Sequence, residues 1–159
     1  MHPSVEKFQK AANQLSLTLN IIEHQEATRT AVEAANAVNC DVAQIVKSLC
    51  FMVNDEPVMA LVSGQNQLDE KRLAQLCEVG RKKVRRATAE QVKTATGYSI
   101  GGVTPFGHAT QMKIFVDNDL MAFPTIWAAA GTPNAVFEIE PALLLKTCGG
   151  TAVDLKKER

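Results

Sequence analysis

The chain has 159 residues, of which 46% are hydrophobic and 21% are charged. A chain of this length buries about two thirds of its unfolded surface, so we expect one globular domain over residues 1–159 and no extensive disorder. Seventeen basic and seventeen acidic side chains cancel. A nucleic-acid partner would therefore have to meet a local basic patch, because the net charge supplies no general attraction.

The cysteines and the hydropathy pattern exclude several other classes. Cys40, Cys50, Cys77 and Cys148 are widely spaced and form no C-x-x-C pair, so we expect buried thiols in a reducing cytosol, with no metal site. The first residues carry no basic-then-apolar leader, and no run approaches the roughly eighteen apolar residues of a membrane span. The sequence predicts a cytoplasmic protein with no membrane partner.

The first elements are predicted to be a helix, a strand and a second helix. The first helix is indicated by apolar residues at helical spacing: Val5, Phe8, Ala12 and Leu15. The strand follows from the alternation of Leu17, Leu19 and Ile21. Thr30 and Glu33 form a T-x-x-E capping box for the second helix, and Asp41 with Gln44 predicts a short helical turn.

A buried hairpin and two helices are predicted next. Residues 45–53 are apolar on both strand faces and are separated by Asn54-Asp55-Glu56-Pro57 from a second apolar run, residues 58–63. Leu68, Asp69 and Leu73 have the spacing of a hydrophobic staple, for a helix expected to end at Gly80. Thr88 and Gln91 predict a further helix that ends at Gly97.

The last third predicts three strands and a helix. The strands are indicated by alternation at Met112, Ile114 and Val116 and by the runs 125–129 and 135–139; the helix begins at Pro141 and ends near Gly149. Helices and strands alternate without a strict βαβ rhythm. We therefore predict an α/β fold of the mixed α+β kind, with a mixed, barrel-like sheet flanked by helices.

Residues 97–108 contain four glycines and a proline, a composition that brings backbone N–H groups close to a ligand. The segment matches neither G-x-G-x-x-G, nor the P-loop, nor the G-x-S-x-G elbow, so we predict no nucleotide cofactor. Without a nucleophile, backbone N–H groups could stabilise an oxyanion while water attacks. The loop 129–134 either closes the other side of such a pocket or is a plain hairpin turn.

Lys47 shares a predicted strand face with Ile45, Leu49 and Phe51, where an unpaired ammonium group is costly to bury. One interpretation is an edge-strand lysine whose ammonium group reaches water. The other is a lysine that extends from a pocket floor toward a phosphate or carbonyl oxygen.

A basic run of five cations in six positions follows Gly80: Arg81, Lys82, Lys83, Arg85 and Arg86. It is either a solvated face or a patch that neutralises RNA phosphates. His24 and His108 are either structural or proton shuttles near neutral pH. Tyr98 and Trp127 are expected to be core residues rather than parts of a ligand platform.

Several of these segments together resemble the YbaK/ProX family of aminoacyl-tRNA editing domains. They are Ile45-Val46-Lys47-Ser48-Leu49, the TGY-x-x-GG-x-x-P-x-G pattern of residues 96–107, Val116-Asp117 and Ala130-Gly131. The family is similar to the editing insertion domain of bacterial prolyl-tRNA synthetase and hydrolyses mischarged aminoacyl-tRNA in trans. The resemblance implies a barrel-like sheet surrounded by helices, and a mischarged tRNA as partner, with an aminoacyl-tRNA synthetase as a second partner to consider.

The resemblance also implies roles for single residues. Lys47 matches the family's functional lysine, Gly101 and Gly102 match the loop against the aminoacyl ester, and Gly131 and His24 match a facing glycine and a histidine of the first strand. Further substrate contacts are expected from Thr30, Pro105, His108, Thr132 and Asn134. Some members that act on cysteinyl-tRNA carry a tyrosine where this chain has Ile22, so the resemblance does not extend to cysteine specificity.

The predicted function is hydrolysis of a mischarged aminoacyl-tRNA ester that carries a small amino acid, with tRNA(Pro) as one candidate. In this hypothesis Lys47 anchors the terminal phosphate or orients the carbonyl, amides near Gly101 and Gly102 support the oxyanion, and water attacks. Two alternatives stay open. One is a module that binds aminoacyl-tRNA or a synthetase without turnover, and the other is a small-molecule hydrolase that uses Cys50 or His108.

Overall fold

The computed structural model describes residues 1–158, which contain five α-helices and eight β-strands. The helices are α1 (Pro3–Gln14), α2 (Ala31–Val38), α3 (Glu70–Leu76), α4 (Ala89–Thr96) and α5 (Pro141–Cys148). The strands are β1 (Ile21–Glu23), β2 (Val46–Val53), β3 (Glu56–Ser63), β4 (Val84–Arg86), β5 (Lys113–Asp117), β6 (Ile126–Ala129), β7 (Ala135–Ile139) and β8 (Thr151–Val153).

The strands form two sheets rather than a closed barrel in the described residues. A five-stranded sheet has the order β4-β2-β3-β5-β8, antiparallel on the β4 side and parallel from β3 to β8. An antiparallel sheet has the order β1-β7-β6. A bridge between Ile45 and Trp127 connects the facing edges. The mixed α+β prediction is confirmed, but the sheet does not close within residues 1–158, where this bridge is the one pairing between the two edges.

Most predicted helix boundaries are confirmed because local chemistry determines them. Thr88 and Gln91 form the complete capping box of α4, which ends at Gly97 with a φ of 86°. The end predicted for α3 is wrong: this helix ends at Leu76, and Gly80 starts the following 3-10 turn. Glu78 takes the left-handed conformation, with a φ of 57°, so the chain reverses before it reaches the glycine.

The short edge strands were not predicted correctly. The first strand was expected over residues 17–21, but β1 comprises Ile21–Glu23, which pair with Phe137, Val136 and Ala135. Leu17 and Leu19 pack against the core without joining a strand. Strands β4 and β8 were missed, since three residues are too few to show alternation.

Two hydrophobic clusters cover opposite faces of the five-stranded sheet. In the larger cluster, the Phe8 ring of α1 lies 5.3 Å from the Phe106 ring and 5.1 Å from the Phe137 ring. The smaller cluster lies under α3 and includes Phe51, Val62 and Leu73. Strand β2 is therefore held on both faces, which fixes the position of the residues along its edge.

Three further predictions concern the burial of Tyr98, the state of the cysteines and the presence of membrane-spanning helices. Tyr98 is buried in the core, as predicted. All four cysteines are free thiols, but Cys50 alone is buried, whereas the other three are half-buried. None of the helices within residues 1–158 has the length and apolarity needed to cross a membrane.

Candidate functional site

A cavity of about 370 Å³ lies where the edges of β2 and β6 diverge beyond the bridge between Ile45 and Trp127. The N-terminal turn of α2 and the loops at residues 100–103 and 132–133 also contribute to its wall. Small and aliphatic side chains dominate its wall: Ala31, Ala34, Ile45, Val46, Leu49, Ala87, Val92, Val103, Ala128, Ala129, Ala135 and Val136. The cavity is in the volume range of small-molecule sites, and its polar lining includes the charged side chains of Arg29, Lys47 and Arg86.

The open edge of β2 directs backbone polar groups at this cavity. Cys50 O accepts from Ala87 N at 3.1 Å on the β4 side, whereas Ile45 O accepts from Gly64 N at 2.7 Å on the β3 side. Backbone groups of alternate residues in a strand point to opposite edges. The N–H and C=O groups of Val46 and Ser48 therefore point to the same edge as those of Cys50, where β4 does not reach and the cavity begins.

Lys47 lies at this edge with its side chain half-buried. Its ammonium group donates a hydrogen bond to the backbone carbonyl of Asn66. Burial lowers the pKa of Lys47, and the nearby Arg86 charge adds to that effect, whereas the Asp117 carboxylate opposes it. Lys47 is therefore a cation at the cavity edge, held by a neighbouring loop.

The basic run divides into one residue at the cavity and four outside it. Arg86 lines the cavity, with its guanidinium 5.4 Å from the centre of the Phe51 ring. Arg81 is paired with Glu70 at 3.0 Å, and Arg85 donates to Gln91 at 3.2 Å. The structure thus connects the run to the cavity through Arg86, while the exposed Lys82 and Lys83 lie on the outer surface.

The glycine-rich loop contributes its first half to the cavity, through Ile100, Gly101 and Val103. Gly102 lies behind this wall, and its N–H already donates to Ser99 O at 3.0 Å. A Cβ at Gly102 would lie 2.6 Å from the Gly131 carbonyl oxygen. Of the two glycines expected to support an oxyanion, Gly101 lines the cavity, and Gly102 allows the two loops to touch.

The second half of the loop is anchored on α1 instead. Pro105 is buried, and a Cβ at Gly107 would meet the Ala11 side chain at 3.1 Å. His108 Nε2 lies 2.6 Å from the Thr104 carbonyl oxygen, and burial lowers the pKa of His108. Neither Pro105 nor His108 lines the cavity, although both were expected to contact substrate.

The facing loop is tied to the segment that follows β1. Asn134 Nδ2 donates to His24 O at 3.2 Å, and Thr28 N donates to Pro133 O at 3.0 Å. Thr132 and Thr30 line the cavity, and Thr30 Oγ1 also caps α2 by accepting from Glu33 N at 3.1 Å.

Three other predicted residues lie outside the cavity. Gly131 packs against the start of α1, where a Cβ would lie 2.6 Å from Ser4 O. His24 and Asn134 are not on the cavity wall. The hydrogen bond between them joins the segment after β1 to the facing loop. The His24 Nε2 atom is buried and has no hydrogen-bond partner within residues 1–158.

Trp127 and Ser48 are among the cavity residues that sequence reasoning missed. Trp127 was expected in the core, but it is half-buried and lines the cavity, because it sits at the bridge where the two sheets diverge. The Ser48 hydroxyl is buried on the cavity wall and has no hydrogen-bond partner among the described residues. The signal available for Ser48 was its position beside Lys47, in a strand that is otherwise apolar.

Neither a metal centre nor a thiol nucleophile is supported in the described part of the chain. No three His, Cys, Asp or Glu side chains of residues 1–158 come together as a metal-binding group. Cys50 lines the cavity, but burial raises the pKa of its thiol. Since the thiolate is the reactive form, this environment disfavours Cys50 as a nucleophile.

Relatives of the chain include free-standing proteins and parts of synthetases. A solved structure of a candidate trans-editing enzyme for prolyl-tRNA synthetase is 41% identical, with a TM-score of 0.94 over 99% of both chains. A candidate Cys-tRNA(Pro)/Cys-tRNA(Cys) deacylase of Enterococcus faecalis, EbsC, is 27% identical over 79% of this chain and 76% of its own. The proline–tRNA ligase of Maridesulfovibrio salexigens is 36% identical over 63% of this chain, a region that makes up 17% of the ligase.

The family match covers most of the chain and includes every residue that lines the cavity. The aminoacyl-tRNA editing domain matches residues 25–147. This range contains Lys47, both cavity loops and strands β2 to β7. The resemblance that the sequence motifs indicated is confirmed, and the chain belongs to the family of aminoacyl-tRNA editing domains.

Proposed function

We propose that residues 1–159 form a single editing domain that hydrolyses, in trans, the ester of mischarged tRNA(Pro) carrying a small amino acid. The main support is the cavity at the β2 edge, which is lined by Lys47, Gly101, Thr30 and Thr132. Relatives named for trans-editing of prolyl-tRNA synthetase and for deacylation of Cys-tRNA(Pro) support the same reaction class.

The chemistry needs positioning more than a strong nucleophile, because an aminoacyl ester is already labile. In the proposed mechanism, Lys47 binds the terminal phosphate or the ester carbonyl oxygen. Backbone N–H groups near Gly101 and at the β2 edge stabilise the oxyanion that forms as water attacks. Ser48 adds a hydroxyl that is free to bind the bound ester or the attacking water.

The cavity wall supports a small amino acid as the substrate's side chain. The small side chains of Ala31, Ala34, Ala129 and Val103 line an apolar part of the cavity. A pocket of this kind distinguishes one methylene by only about 1–3 kcal/mol. Alanine, serine and threonine esters are therefore all candidate substrates.

The tRNA itself is proposed to approach from the side of Arg86. This side chain joins the cavity to the outer basic residues Arg81, Lys82, Lys83 and Arg85, so phosphates near the acceptor end could follow that path. A synthetase remains a second proposed partner. The proline–tRNA ligases that match this chain contain the homologous region within a much longer protein.

Single-turnover deacylation tests the proposal. Lys47→Ala is expected to reduce the rate constant on Ala-tRNA(Pro) by about a hundredfold, since a misplaced ester loses most of the advantage of positioning. Lys146→Ala, an exposed lysine on α5, is the matched control and should keep the wild-type rate. Wild-type activity of Lys47→Ala on every ester of an alanine, serine, threonine and cysteine panel would overturn the role of Lys47.

The same panel separates an enzyme from a binding module. A module that holds aminoacyl-tRNA without turnover would slow the spontaneous loss of the amino acid, because it shields the ester from water. An editing enzyme would accelerate that loss. The released amino acid is measured against a sample without protein.

A further inference from the structure

A buried hydrogen-bond network lies behind Lys47, on the side away from the cavity. The Asn66 carbonyl accepts from the Lys47 ammonium group, and the Asn66 side chain, which is 8% exposed, is itself fixed. Its Nδ2 donates to Asp117 Oδ2 at 2.9 Å and to Asp119 Oδ2 at 2.8 Å. Two carboxylates therefore hold the side chain of Asn66, the residue whose backbone carbonyl binds Lys47.

Asp117 is the buried centre of this network, with 1% exposure. Its Oδ2 also accepts from Ser63 N at 3.0 Å, and its Oδ1 accepts from Asp119 N at 3.0 Å. Burying a charged carboxylate is costly unless donors and an opposite charge compensate it. The donors are the Ser63 and Asp119 backbone N–H groups and the Asn66 amide, and the Lys47 ammonium group supplies a nearby positive charge.

We propose that Asn66 and Asp117 are positioning residues for Lys47. Asp117 fixes the Asn66 side chain and the turn that begins at Ser63, and the Asn66 carbonyl then holds the ammonium group at the cavity edge. This inference rests on the proposed function only for its kinetic consequence. The physical claim, that Asp117 fixes the loop that holds Lys47 and favours its charged form, stands apart from any substrate.

Two charged groups act on the Lys47 ammonium group, and a further charged pair lies farther out. Asp117 at the end of β5 favours the charged ammonium group, and Arg86 on β4 disfavours it. Asp119 lies farther out in the network, where its Oδ2 is 3.4 Å from Lys156 Nζ. Because Lys156 partly neutralises Asp119, Asp117 is expected to dominate the field at Lys47.

Asp117→Asn is the decisive variant, because an asparagine keeps the size and an acceptor oxygen but removes the charge. Titration of Lys47 is followed by NMR of protein labelled at the lysine Cε carbon, with the resonance assigned from Lys47→Ala. The titration midpoint is expected to move to lower pH in Asp117→Asn. Asp119→Asn is the matched control and should move it less.

The kinetic readout is the pH–rate profile of single-turnover deacylation. If the protonated lysine is the active form, the alkaline limb should shift to lower pH in Asp117→Asn, in step with the NMR midpoint. Asn66→Ala should lower the rate constant by about tenfold to a hundredfold while the half-saturating protein concentration stays within about twofold, since it displaces Lys47 rather than removing a tRNA contact.

Each outcome bears on the inference. An unchanged Lys47 midpoint in folded Asp117→Asn overturns it, as does a shift of equal size in Asp119→Asn. If Asp117→Asn does not fold, Asn66→Ala decides, and a wild-type rate constant there overturns the positioning role. Loss of the proposed function looks different: Lys47→Ala would keep full activity while the NMR shift in Asp117→Asn still appeared.

Discussion

Ser48 has a feature that is unusual for a well-packed strand, a buried hydroxyl with no partner among the described residues. A buried polar group without a hydrogen bond costs about 1–3 kcal/mol. Its position on the cavity wall, one residue after Lys47, gives a physical reason for keeping it. A bound ester or water could supply the missing hydrogen bond.

Ser48→Ala is therefore expected to separate activity from stability. The melting temperature should stay the same or rise, because the variant removes an unpaired hydroxyl. Single-turnover kcat/KM on Ala-tRNA(Pro) should fall by about twofold to tenfold, the effect of one lost hydrogen bond. Ser48→Cys, a weaker donor of similar size, should fall in between. A wild-type rate in Ser48→Ala would show that the hydroxyl takes no part.

At the level of elements, the cavity depends on the contact between the loops at residues 100–103 and 131–133. Gly102 allows it, because a Cβ on Gly102 would lie 2.6–2.7 Å from three backbone atoms of the facing loop. Such distances cannot be relieved by turning a side chain. The two loops can approach only where this side chain is absent.

Gly102→Ala should consequently push the loops apart. We expect a loss of about 1–3 kcal/mol of unfolding free energy, as for an overpacked core, together with reduced deacylation. Denaturant unfolding and single-turnover kinetics measure the two effects. Gly80→Ala is the matched control, since nothing lies within 4 Å of its Cβ position, and it should change stability by less than about 0.5 kcal/mol. Equal stability of the two variants would contradict the loop-contact account.

At the level of the whole molecule, the balanced charge means that tRNA binding must depend on where cations lie rather than on how many there are. Lys82 and Lys83 are exposed in the same basic run as Arg86, the residue that connects this run to the cavity. Each phosphate contact releases counterions, so its contribution falls as salt rises.

The double variant Lys82→Ala/Lys83→Ala should weaken binding of uncharged tRNA(Pro). The slope of log K against log salt should become shallower by about 1–2, which corresponds to up to two lost phosphate contacts. Fluorescence anisotropy over a salt series measures it. Lys10→Ala/Lys146→Ala removes the same charge from exposed positions on α1 and α5 and should leave the slope unchanged. Equal slopes for both double variants would place the tRNA elsewhere.

Much of the fold could be predicted because its signals are local. The capping box of α4, the hairpin of β2 and β3, and the glycine that ends α5 each depend on residues a few positions apart. The strands β4 and β8 and the end of α3 could not be predicted. They are determined by pairing partners or by a left-handed turn that leave no periodic signal in the sequence.

The sequence by itself determined the family, the lysine strand and the two glycine loops, because those depend on residue type and spacing. The tertiary structure decided which of these residues share the cavity. It brought Lys47, Thr30, Gly101 and Thr132 together, added Ser48 and Trp127, and placed Pro105, His108 and Gly102 behind the wall. Only packing between distant segments distinguishes a glycine that faces a ligand from one that lets two loops touch, so this distinction had to come from the fold.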